Sequence, residues 1–378
     1  MEKATILTDR QTDRQYYTYL NGLKGIACLF IMVGHYLGLY KYAQSFMPSI
    51  QVIDKINHSL FSFLIDEGYW LYLFFVVSGY LISKSHIQNV SDLLTKSVNR
   101  FFRLAFPILF SYLVIFVIYR LLGFHAADTS DLFECKWFQG FYTGACSLKD
   151  VFLSPIFVLI LGKATLNSPY WVLRMMFISS LLIYLLKFLC VKLKSSEHKA
   201  FAFSALITIT LLSVVISSII TACLIGFLLS YYENTSIRNT PYYAFWFICI
   251  AASLYILPKV LISSIFFASL VIFVPRLKLI NNILSSKPFQ FFGNISWGIY
   301  SFHWPIICSV GAISIINLSN HVGLIGAYCI SFFVVLLLTI ILSVLFLYSF
   351  ECFSKELTKK VSILFAHILS GNIHLSKQ

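Results

Sequence analysis

The sequence predicts an all-α polytopic membrane protein, with about ten transmembrane helices in a single bundle and both termini in the cytoplasm. Three observations carry this. Apolar residues make up 59% of the chain and charged residues 11%, against roughly 45–50% and 25% in soluble domains. Mean hydropathy is +0.83. The apolar residues also fall in continuous runs of span length. Such a chain cannot cover a soluble surface, and disorder, a coiled coil or a secreted disulfide scaffold do not fit it. A β-barrel would alternate apolar and polar residues along each strand, which these runs do not.

Each run is then placed in order, about 17–25 residues being needed to cross a bilayer. The first, 20–40, follows a leader carrying Glu2, Asp9, Arg10, Asp13 and Arg14 and lacks a small-residue cleavage site. It is expected to be a retained helix rather than a signal peptide. Further spans are expected at 69–87, 104–122, 169–190, 201–217, 218–232, 241–257, 260–275, 291–312 and 322–350. The pair within 201–232 also reads as one long helix, and charge decides between the two. With ten spans and the N-terminus inside, the outer side keeps only Lys41, Lys55, Arg120, Lys136, Lys149, Lys163, Arg174 and Lys259 of the 28 Lys and Arg residues. Merging the pair would expose Arg276, Lys278, Lys287 and the C-terminal lysines, against the positive-inside rule.

One integral-membrane domain is expected over 1–378, with a core at about 17–350 and short cytoplasmic tails at 1–16 and 351–378. The net charge of +13 then lies almost wholly on the cytoplasmic face. Topology and attraction to anionic lipid explain most of it; nucleic acid is not an expected partner. The expected location is the inner (cytoplasmic) membrane. Two outer segments, 41–68 and 123–168, are long. Within the second, residues 151–162 are apolar but too short to span, and read as a re-entrant or interfacial helix. The nine cysteines include no CxxC pair. Cys135 and Cys146 flank one polar stretch there, and a disulfide and two free thiols both remain open.

Ionisable residues inside a span are costly and therefore candidates for function. His35 and His303 are the histidines that fall in the interior of spans, whereas the others, His86 among them, lie in loops or at edges. Lys24 and His35 are eleven residues apart, about three helical turns, so they share a face about 16 Å apart along the axis. A core histidine bonded to a neighbouring helix is the plain alternative for His35. Arg100 and Arg103 stand at i and i+3, so they share a face too. Arginine's planar fork suits phosphate oxygens, although snorkelling arginines at a span end look the same. Ser296, Tyr300 and His303 form a polar stripe at i, i+4 and i+7. Pro305 leaves a backbone carbonyl one turn earlier unpaired. Ser78-Gly79 reads as a helix-packing notch.

The order Asn21-Gly-Leu-Lys24-Gly with His35, Phe74-Phe-Val-Val-Ser78-Gly79-Tyr80, Arg100-x-x-Arg103 and Gly293-Asn-Ile-Ser-Trp-Gly-Ile-Tyr300-Ser-Phe-His303-Trp-Pro305 resembles the membrane-bound acyltransferase family 3. Many of its members O-acetylate surface polysaccharides. The resemblance runs over about 17–350. It implies that His35 is the catalytic histidine, that Arg100 and Arg103 are the paired arginines associated with acyl-CoA, and that His303 is the histidine of the late Phe-His-Trp-Pro motif. Lys24 stands where the family usually has arginine. Asn21 stands for a usual aspartate, and Met176 for a frequent glutamate after Pro169-Tyr170-Trp171. Arg103 is one residue further from Pro107 than is common.

The resulting expectation is acyl transfer from cytoplasmic acetyl-CoA to a hydroxyl of a surface polysaccharide or its lipid-linked precursor. Arg100, Arg103 and Lys24 would hold the donor's phosphates. His35 would act as general base on the acceptor hydroxyl or take the acetyl group itself. Tyr300 or His303 would stabilise the oxyanion. No metal is required. The rival is a transporter or flippase of a glycan or lipid-linked intermediate. It is disfavoured by the lack of paired Gly/Pro-broken helices in two matching halves. A pure scaffold leaves Lys24 and His35 on one face unexplained.

Overall fold

A computed structural model describes residues 18–41, 66–141, 146–191, 209–210, 218–233 and 259–375. Every regular element among these residues is helical. The chain divides into two compact units. One lies within Met1–Ala27, Tyr69–Ser97 and Ile178–Asn294; the other lies within Cys28–Gly68, Val98–Phe177 and Ile295–Gln378.

Among the described residues, four helical runs are long and apolar enough to cross a membrane: Thr18–Leu39, Val90–Leu122, Ser168–Cys190 and Ser296–Ile368. A fifth is added if Ser263–Arg276 and Lys278–Leu284, bent by 102°, form one span. The expected spans at 20–40 and 169–190 correspond to α1 (Thr18–Lys41) and to the helix from Trp171 to Val191. The stretches expected to span at 69–87, 218–232 and 260–275 are helical as α2 (Glu67–Ser83), Ser218–Glu233 and Lys259–Phe273, the first two shorter than the runs above. The spans at 201–217, apart from residues 209–210, and at 241–257 lie outside the described residues.

Three boundaries differ from expectation. The helix expected at 104–122 is α3, Val90–Leu122. It starts early because Asn89 caps it: its Oδ1 accepts from Asp92 N at 2.8 Å, while Asp92 Oδ2 accepts from Gln88 N at 2.9 Å. A side-chain oxygen at this position satisfies a donor that has no partner within the helix. Second, the expected gap at 313–321 is helical. Ser296–Ile306 (α4) and Ala312–Phe346 (α5) are joined by a π-turn at Ile307–Gly311. The break comes instead at Gly323, with φ 73° and ψ 163°. A side chain there would meet open space, so the position demands a backbone conformation that glycine tolerates, not room. Third, the tail expected at 351–378 is helical over Cys352–Leu375. Pairs at i, i+4 support it, Glu351 with Lys355 at 2.8 Å and Glu356 with Lys360 at 2.9 Å, as on an isolated helix.

In the first unit small residues let helices touch backbone to backbone. A Cβ on Gly79 would run into the Cys223 carbonyl, and one on Gly226 into the Val76 carbonyl. These reciprocal notches join α2 to Ser218–Glu233, in agreement with the packing role read for Ser78-Gly79. Gly25 likewise abuts Gly293, and Gly22 abuts Leu284. The Gly79→Ala substitution is expected to destabilise the protein by about 1–3 kcal/mol through overpacking. Thermal melting in detergent checks this against Gly140→Ala, where none of the described residues lies within 4 Å; equal melting temperatures would rule the notch out.

In the second unit the stretch before Gly323, which is α4 and the first part of α5, runs antiparallel to the part of α5 after it. Gly298 lies against Ser343, Gly311 lies against Val335, and Ser331 Oγ donates to the Gly311 carbonyl at 2.9 Å. The residue numbers rise on one arm as they fall on the other, so Gly323 is the tip of a hairpin.

The 151–162 segment is a short helix, Leu148–Ile156, followed by a π-turn that ends at Gly162. Ser147 and Asp150 form its capping box. The Ser147 hydroxyl and backbone N–H hold the Asp150 carboxyl below its usual range. Cys135 and Cys146 are not joined. Burial, then the Asp150 charge, pushes the Cys146 thiol up to about 11.

Candidate active site

The second unit brings His35 of α1 against His303 of α4. His35 Nδ1 lies 2.9 Å from His303 Nε2, and the rings are nearly parallel at 10°. His303 is fully buried, whereas His35 is half-buried. His303 Nδ1 lies 2.8 Å from the Ile299 carbonyl. A carbonyl only accepts, so Nδ1 carries the proton of a neutral His303. Its Nε2 is then an acceptor, because a neutral imidazole has one N–H. His35 Nδ1 must donate to it. The remaining nitrogen, His35 Nε2, is left with a lone pair. One backbone carbonyl thus sets the tautomer of both rings, as neighbours set the tautomer of a ligating or catalytic histidine generally.

Both histidines are held by bonds that sequence reading missed. Tyr36, next to His35, donates its hydroxyl to the Tyr328 carbonyl at 2.7 Å, and Tyr328 returns one to the Tyr36 carbonyl at 3.0 Å. This reciprocal clamp fixes α1 to α5 one residue from His35. On the other side, Pro305 has no N–H to offer the Ser301 carbonyl, and Asn167 Nδ2 donates to that carbonyl at 2.8 Å instead. The carbonyl left over by Pro305 was legible in sequence; its partner was not. Tyr170 donates to Ser301 Oγ at 2.6 Å, and Ser111 Oγ lies 2.8 Å from the Tyr170 hydroxyl. Ser301 lies off the Ser296–Tyr300–His303 stripe, so periodicity gave no sign of it. Cys28 donates its thiol to the Ser296 carbonyl at 3.1 Å.

Tyr300 lies beside His303, with ring centroids 6.0 Å apart. Its hydroxyl donates to the Pro169 carbonyl at 2.5 Å. It therefore holds the Ser168–Tyr170 turn behind the histidine pair. Trp304 packs edge-on to His35, 5.3 Å between centroids and 62° between planes. Arg100, half-buried, and Arg103, exposed, stand on α3 within the second unit. Lys24 is half-buried on α1 and belongs to the first unit.

Apolar helices of membrane-crossing length that carry two hydrogen-bonded histidines in their interior are those of a helical membrane protein with a buried polar pair. The chain belongs to acyltransferase family 3: that family's model, an acyltransferase domain, matches residues 17–346. No curated protein and no solved structure matches the chain.

Proposed function

We propose that the protein moves an acetyl group from cytoplasmic acetyl-CoA to a hydroxyl of a surface polysaccharide or its lipid-linked precursor. The observation that carries this reading is the bond from His35 Nδ1 to His303 Nε2. With that bond made, His35 Nε2 keeps its lone pair, which suits it to act as a base. As general base, Nε2 takes the proton of the acceptor hydroxyl while the oxygen attacks the thioester carbonyl. The tetrahedral intermediate then expels CoA as thiolate, and His35 Nε2–H returns the proton to the sulfur. The products are an acetyl ester and free CoA, and the protein ends as it began. His303 is fully buried and stabilises the tautomer and the transient His35 imidazolium. Tyr300 acts as a positioning residue, since its hydroxyl is engaged by Pro169.

The donor's phosphates enter from the cytoplasmic face, where Arg100 and Arg103 hold them. Ten spans with both termini in the cytoplasm, within the inner membrane, give these residues that exposure. The reading is tested by labelled-acetyl transfer from acetyl-CoA in membranes with and without the protein. Absence of transfer to any glycan acceptor rejects it.

The donor site has its own test. Arg100→Ala and Arg103→Ala are each expected to weaken CoA binding by about ten- to more than a hundredfold, because hydrogen bonds between charged groups contribute about 1.5–3 kcal/mol. Arg→Lys recovers only part, for want of the fork, and added salt weakens binding further. Calorimetric CoA affinity unchanged in both alanine variants would return these arginines to the role of ordinary positive-inside residues.

A further inference from the structure

We infer that the aromatic cluster around Trp304 is the acceptor subsite, taking the apolar face of a sugar ring next to His35. The inference rests on the acyl-transfer reading above and names where its acceptor lies. Three rings of the 123–168 segment surround Trp304: Phe141 at 4.8 Å and 76°, Trp137 at 5.6 Å and 68°, and Phe138 at 5.9 Å and 89°. Trp304 and Phe138 are buried; Trp137 and Phe141 are half-exposed. The cluster thus has a closed floor and an open rim, and the floor touches His35.

Two features select the occupant. The indole Nε1 of Trp304 is buried and has no hydrogen-bond partner among the described residues. A buried donor left unpaired costs about 1–3 kcal/mol, and an oxygen acceptor brought by a ligand removes that cost. The rings themselves carry no charge, and their faces are electron-rich. They therefore disfavour the phosphates of the donor and suit a neutral ligand. A pyranose meets both demands. Its C–H face stacks on aromatic rings, and its hydroxyls and ring oxygen accept hydrogen bonds. A lipid chain would satisfy the ring faces but leave the indole N–H unpaired. Proximity supplies the third argument, because an acceptor hydroxyl must come within hydrogen-bond reach of His35 Nε2.

The test uses the full-length protein in lipid nanodiscs. The acceptor is the cell's own surface glycan, stripped of esters by mild alkali and radiolabelled. Trp137→Ala and Phe141→Ala are expected to raise the glycan KM about tenfold and to leave the acetyl-CoA KM alone. Trp137→Phe should recover most of the loss. An unchanged glycan KM in both variants, or an equal rise in the acetyl-CoA KM, overturns the subsite while leaving the transfer reading in place. If the wild type transfers nothing, equilibrium dialysis decides. Glycan bound by the wild type and released by Trp137→Ala upholds the subsite although the transfer reading falls; no bound glycan overturns it.

Discussion

Replacing His35 with alanine is expected to lower kcat by about a thousandfold or more, with the protein still inserted and folded. General-base assistance accounts for roughly a hundred- to ten-thousandfold in rate, and His35 Nε2 is the nitrogen of the pair left available to substrate. The folding cost should be modest. The side chain is half-buried in an apolar helix, and the Tyr36–Tyr328 clamp holds α1 independently of it. The measurement is labelled-acetyl turnover of the purified variant beside its melting temperature. Near-normal turnover in a normally melting variant would make His35 a structural residue.

His303→Ala is expected to cost about a hundred- to thousandfold in kcat and little in the acetyl-CoA KM. The loss arises because His35 Nδ1 no longer has a fixed acceptor, so the imidazole rotates and samples the wrong tautomer. His303→Gln should recover part of it, since an amide oxygen can accept the same bond. A residue that only filled space would be rescued by leucine or phenylalanine instead. Nitrogen-15 spectra of labelled histidine give a direct check: His35 should show a bare Nε2 and a protonated Nδ1. The reverse assignment contradicts the relay whatever the kinetics show.

Much of this arrangement is legible in the sequence. α1 could be drawn because a largely apolar stretch of span length has few other uses, and the eleven-residue interval put Lys24 and His35 on one face. The Gly79 notch was readable from a small residue in a span, and the orphan carbonyl from Pro305. The helix ends were less so. α3 begins at Val90 because of the Asn89 cap, which precedes a polar stretch with no apolar period of its own. Residues 313–321 contain Asn317, Ser319, Asn320 and His321, and composition there suggests a loop although the backbone stays helical to Gly323. The contact between His35 and His303 spans 268 residues of sequence. It depends on how α1 and α4 are rotated about their axes, and one chain's periodicity does not fix a rotation between two helices. The same holds for Asn167 with Ser301 and for the ring cluster around Trp304.

The one-residue reversal at Gly323 also constrains how the protein is made. Two arms joined with no loop between them cannot be threaded separately, so they should leave the translocation channel together as a preformed hairpin. That order of events protects the polar groups the arms carry. His303 travels on the first arm; Ser331, Thr339 and Ser343, all buried, travel on the second. Inserted one at a time, each arm would present such groups to lipid, where unsatisfied donors and acceptors are costly. Released as a pair, they meet each other first, and the buried polar contacts between the arms form before the chain is finished.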